Sequence, residues 1–168
     1  MLLTALALVA AEPPAPPPRP MQVEVVRDAI TDRVTASATL VDRGRTLVVA
    51  CDADDYRGIR VSFSSGRWVA LPSIVAGPRR LVYRFDEQPP RGAVWVPRDR
   101  GGRLVGRSRV ANFLGDLIRS EQLVFRTRDI ELRRFDLRFR IVGAQPAIAE
   151  LLQACGEERL RRDLFGDS

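Results

Sequence analysis

The stretch that decides the fold runs from Leu132 to Val142, LRRFDLRFRIV. Phe135, Leu137, Phe139 and Ile141 alternate with Arg134, Asp136, Arg138 and Arg140. Side chains on a strand point alternately to opposite faces, so this segment predicts a strand with one dry and one charged face, as in an antiparallel sheet with water on one side. A helix would scatter the same residues around its circumference.

Working outward, Arg33 to Cys51 predicts a β-hairpin: RVTASATLV, a turn at Asp42-Arg43-Gly44, then RTLVVAC. The arms are rich in Val, Thr and Leu, and Leu47, Val49 and Cys51 fall on one face. Further strands are expected at Gly58 to Ser64, Arg79 to Asp86, Ala93 to Val96 and Gln122 to Thr127. Two helices stand among them. One is expected to be capped by Ser108, with Val110, Phe113, Leu114, Leu117 and Ile118 as its apolar stripe. The other has Pro146 in its first turn, carries Ile148, Leu151, Leu152 and Cys155 at helical spacing, and ends at Gly156. Strands and helices without βαβ alternation predict an α+β domain on a largely antiparallel sheet, sandwich-like or single, with two short amphipathic helices packed on it.

The expected organisation is a signal peptide-like segment at 1–11, a Pro-rich linker at 12–20, a single β-rich α+β domain at 21–156 and a charged, loosely ordered tail at 157–168. MLLTALALVAA is apolar, too short to span a bilayer, and ends in small residues suited to cleavage before Glu12, although it lacks a basic n-region. EPPAPPPRP then reads as an extended spacer. The expected location is the periplasm or outside the cell.

Composition removes whole classes of chemistry. The chain has no His, so imidazole acid-base catalysis, His-activated nucleophiles and His-ligated zinc have no residue to use. All 27 basic residues are Arg, and the net charge is +6, yet acidic residues are interleaved throughout, which argues against nucleic acid as the partner. Asp52, Asp54 and Asp55 read as a polar turn, Ser64-Ser65-Gly66 as a hairpin loop, and Gly101, Gly102 and Gly106 as a flexible loop matching no phosphate-binding spacing. No cofactor or metal is expected, and the chain reads as a binding protein rather than an enzyme. A hydrolase using paired carboxylates is the weakest alternative.

Cys51 and Cys155 are the only cysteines, and each is in phase with the apolar residues of its own element. In an oxidising compartment a disulfide between them is the first reading, with two buried thiols as the alternative. The candidate interaction face is formed by Arg126 and Arg128 on one strand and Arg134, Arg138 and Arg140 on the next. Their guanidinium groups would grip carboxylates or phosphates, or stand as a solvated face balanced by Asp129, Glu131 and Asp136.

The order RDAITDRVTASATL (27–40), LVVAC (47–51), LVYRFDEQP (81–89), the Phe113 to Ile118 helix with LVFRTR (123–128), and FDLRFRIVGAQPAIAELLQAC (135–155) resembles the periplasmic accessory proteins associated with type VI secretion, the VasI or TagO type, or a broader related group of small exported proteins. The resemblance covers about Arg27 to Cys155. It implies an envelope-located accessory or adaptor protein that acts through an envelope protein partner, and it carries over no active-site residue. The second function expected from the residues is polyanion binding through the Arg face, to nucleic acid, lipid headgroups or cell-wall polymer.

Overall fold

The computed structural model describes residues 17, 19–52, 58–70 and 77–166. The signal peptide-like segment, and Asp54 and Asp55 of the acidic cluster, lie outside the described residues. Over the described residues the fold is α+β, a nine-stranded antiparallel sheet with three short helices.

The strands are β1 (Gln22–Arg27), β2 (Val34–Asp42), β3 (Arg45–Asp52), β4 (Arg60–Ser64), β5 (Arg79–Phe85), β6 (Arg91–Arg98), β7 (Gly101–Leu104), β8 (Gln122–Arg128) and β9 (Arg134–Arg140). They lie side by side in the order β1-β2-β3-β4-β7-β6-β5-β8-β9. The β2–β3 hairpin closes with Asp42 opposite Arg45, and the two residues between them, Arg43 and Gly44, both have positive φ (51° and 74°). Such a two-residue turn matches the natural twist of the strands it joins.

The alternation of β9 is as expected: Leu137 and Phe139 are buried while Arg134 and Arg138 are exposed. The same holds for Leu47, Val49 and Cys51 on β3. The sheet coils until its two ends approach each other. The Met21 N–H donates to the Val142 carbonyl (2.8 Å), which joins the residue before β1 to the chain just after β9.

The helices are α1 (Arg107–Leu117), α2 (Ala144–Ala154) and α3 (Glu158–Phe165). Phe113, Leu114 and Leu117 of α1 and Ile148, Leu151 and Leu152 of α2 are fully buried against the sheet's inner face. An aromatic cluster lies beneath α1, where Phe113 meets Phe85, Trp95 and Phe125 at ring-centroid distances of 5.1, 6.0 and 6.1 Å. Cys51 and Cys155 sit at disulfide-bonding distance with their Cα atoms 6.2 Å apart, tying β3 to the end of α2.

Four expectations are corrected. Within the expected loosely ordered tail, residues Glu158–Phe165 form α3, which places Leu160, Leu164 and Phe165 half-buried against the core, because that spacing gives even a charged eight-residue helix one apolar edge. Ser108 is not a cap. Gly106, at φ 103°, opens α1 two residues earlier, since the Val105 N–H is still bonded to the Val94 carbonyl and the chain must turn at once.

Gly101 and Gly102 are not a flexible loop but the start of a buried strand, β7, wedged between β4 and β6. A Cβ on Gly101 would meet the Phe63 carbonyl oxygen, and one on Gly102 would lie 3.2 Å from the Phe63 ring. Ser64-Ser65-Gly66 leaves an interior strand rather than joining a hairpin, and the Ser65 hydroxyl is fixed between the carbonyls of Arg67 (2.9 Å) and Arg100 (2.7 Å).

Candidate functional site

The charged face of β8 and β9 forms as the alternation requires, but its arginines are not equivalent. Arg126 is locked onto Asp136, its partner across the ladder, by a two-pronged pair with Nε and Nη2 at 2.8 and 2.9 Å from the two carboxylate oxygens. That fork holds the Asp136 carboxyl below its ordinary pKa and raises that of Arg126. Arg140 turns to Asp42, the last residue of β2, at 3.2 Å. Arg138 stays exposed.

Arg128 and Arg134 face each other directly across the β8–β9 ladder, and no carboxylate pairs with either among the described residues. Like charges placed directly opposite destabilise a sheet, so this pair is a local cost. The turn that joins the two strands is built by Asp129. Its buried carboxylate accepts the N–H groups of Glu131 (3.0 Å) and Arg133 (2.9 Å) and the Arg133 guanidinium (3.0 Å). Burial pushes this carboxyl's pKa up, but those bonds outweigh it and hold the group below the usual carboxylate range. The balancing acids expected for the face are therefore spent on Arg126 and Arg133, not on Arg128 or Arg134.

Beside this pair the sheet opens. The β5–β8 ladder begins at Phe85 opposite Leu123 and ends at Val82 opposite Arg126. Beyond it, β5 continues with β6 to Arg79, while β8 continues with β9 to Arg128. Where the two strands part lies a cavity of about 390 Å³. Phe63, Val69, Leu81, Trp95 and Pro97 give it an apolar lining, with Thr127 and the backbone of Gly101 and Gly102. Arg79, Arg80, Arg126, Arg128 and Arg134 also line it. Trp95 is fully buried, and its indole N–H has no acceptor among the described residues.

Sequence reasoning found Arg126, Arg128 and Arg134 of this set. It missed Arg79, Arg80, Trp95 and Thr127. Arg79 is in phase with Leu81, and Trp95 with Ala93, so their faces could be read from alternation, but nothing local says that β5 and β8 separate there.

No group of His, Cys, Asp and Glu able to hold a metal ion occurs among the described residues. Nor is any helix among them long and apolar enough to cross a membrane. No family model, no curated protein and no solved structure matches this chain.

Proposed function

We propose that this chain is an exported accessory domain of the cell envelope that acts by docking a protein partner, without catalysis. The observation that carries the reading is strand β1. Among the described residues it pairs only with β2, so its outer edge presents backbone donors and acceptors to an incoming strand. Val25 and Val26 on it are 47% and 50% exposed, and Ile30 in the following turn is 93% exposed. Apolar side chains beside an open edge suit an extended segment of another protein, which adds its own hydrogen bonds and fills the apolar positions.

The bonding distance between Cys51 and Cys155 supports an oxidising compartment, as does the short apolar segment ahead of Glu12. The resemblance to type VI accessory proteins directs the search for the partner to the envelope components of that machinery. A gene locus without secretion genes would remove that specific role and leave the docking reading standing.

The test is a photo-crosslinking residue placed at Val25 in the native host. The expected result is a discrete adduct with an envelope protein. No adduct, or adducts between two copies of this chain alone, would overturn the reading. Export is checked separately by mass spectrometry, which should find a mature N-terminus near Glu12. Intact Met1 in the cytoplasm would exclude it.

A further inference from the structure

We propose that the cavity between β5 and β8 is a binding site for a small amphipathic anion, a carboxylate carried on an apolar tail. This goes beyond the docking role of β1 and does not rest on it.

Three independent features converge there. The first is space with an apolar lining. The cavity, about 390 Å³, falls within the size range of small-molecule sites, and Phe63, Val69, Leu81 and Trp95 line it. Gly101 and Gly102 contribute backbone without side chains, which lets β7 approach Phe63 closely.

The second is charge. Arg79, Arg80, Arg128 and Arg134 line the cavity, are exposed, and have no carboxylate partner among the described residues. Arg126, which also lines it, is already committed to Asp136. Arg128 and Arg134 stand directly opposite each other, so an anion between them would remove a repulsion that the free protein bears. Guanidinium groups suit a carboxylate because they donate two parallel hydrogen bonds to its two oxygens.

The third is the buried Trp95 N–H, a donor without an acceptor in a residue that lines the same cavity. Buried donors in folded proteins almost always have a partner, and among the described residues no group supplies one in this wall of the cavity. An apolar lining with cations on the same cavity selects for a ligand that has both parts. A bare inorganic anion would leave the apolar lining empty, and a neutral hydrocarbon would leave the arginines without a counter-charge.

Trp68 and Trp95 are the only tryptophans, so a Trp68→Phe variant makes Trp95 the sole fluorescent reporter. Decanoate, kept below micelle-forming concentrations, is the probe. The expected result is a saturable change in Trp95 emission with decanoate, and none with inorganic phosphate. Decanol should bind about tenfold more weakly, as should decanoate to Arg128→Gln/Arg134→Gln in the same background, since either change removes charge-assisted hydrogen bonds.

That double variant should unfold no more easily than its parent, because it removes a like-charge pair, so lost binding would not reflect lost folding. Equal affinity for decanol and decanoate, an unaffected double variant, or no saturable response would each overturn the proposal. So would sedimentation of the protein with phosphatidylglycerol vesicles while free decanoate gives no response, since the arginines would then serve a membrane surface rather than the cavity. None of these outcomes bears on crosslinking from β1, so the two readings fail separately.

Discussion

Asp42 and Arg140, 98 residues apart in the chain, hold the first and last hairpins of the sheet together. The Asp42 carboxylate accepts the Arg140 backbone N–H at 2.9 Å and its guanidinium at 3.2 Å. Burial pushes the Asp42 carboxyl up, but the hydrogen bonds and charge of Arg140 outweigh it and hold the group below its ordinary pKa. Replacing Asp42 by Asn should destabilise the domain by about 1 to 3 kcal/mol, because a buried donor loses its acceptor. Asp32→Asn, at a site whose side chain is 85% exposed, should be neutral. Urea unfolding of the two variants at neutral pH checks both.

The same relationship sets an acid limit. Asp42 and Asp136 have folded-state pKa values below their unfolded ones, so the folded state binds fewer protons. Their contribution is complete above about pH 5 and is lost as pH falls through about 4 and below. Unfolding free energy measured between neutral and acid pH should fall along that limb, and the fall should be shallower in Asp42→Asn. An identical acid slope in variant and parent would exclude Asp42 as a source.

A second prediction concerns the cysteines. The unreduced, denatured protein should show no reactive thiol, and reduction should cost about 4 to 5 kcal/mol in the chain-entropy view, since the bridge closes a loop of 104 residues. Two titratable thiols in the unreduced protein would show that the pair is not bonded in solution.

The third tests the glycine strand. Gly101→Ala should destabilise by about 1 to 3 kcal/mol, because its Cβ meets the backbone of Phe63 and β4 and β7 must part to admit it. Gly77→Ala, with nothing among the described residues within 4 Å of the added carbon, should be tolerated. Thermal unfolding of both proteins separates the outcomes, and equal midpoints would mean that β7 is not held against β4.

The fourth returns to the two faces of β9. Phe139→Ala should cost about 3 to 5 kcal/mol and Leu151→Ala, in the facing core, about 2 to 5. Arg138→Ala should stay within about 0.5 kcal/mol of the parent, because its side chain is exposed. Chemical denaturation of the three variants decides it, and an Arg138→Ala loss as large as that of Phe139→Ala would reverse the assigned faces.

The sequence by itself determined whatever depends on the period of a single element. Phe139 points inward and Arg138 outward because successive Cβ atoms on a strand alternate, and this needs no knowledge of the neighbouring strand. Cys51 and Cys155 could be placed on apolar faces for the same reason, as could Leu151 and Leu152. The β2–β3 turn was legible in Asp42-Arg43-Gly44, and the antiparallel sheet in the charged face of β9.

Only the tertiary structure decided which elements became neighbours. Gly101 and Gly102 carry no side-chain pattern, so nothing in their own stretch separates a loop from a strand, and the close approach of Phe63 is what requires them. The spacing of Leu160, Leu164 and Phe165 marks an apolar edge, but a surface to receive it exists only once α1 and α2 are in place. The five arginines of the expected face look alike in sequence. Arg126 and Arg140 are neutralised, and Arg128 and Arg134 left facing each other, because charge compensation depends on which carboxylate arrives alongside, and for Arg140 that carboxylate comes from the far end of the sheet.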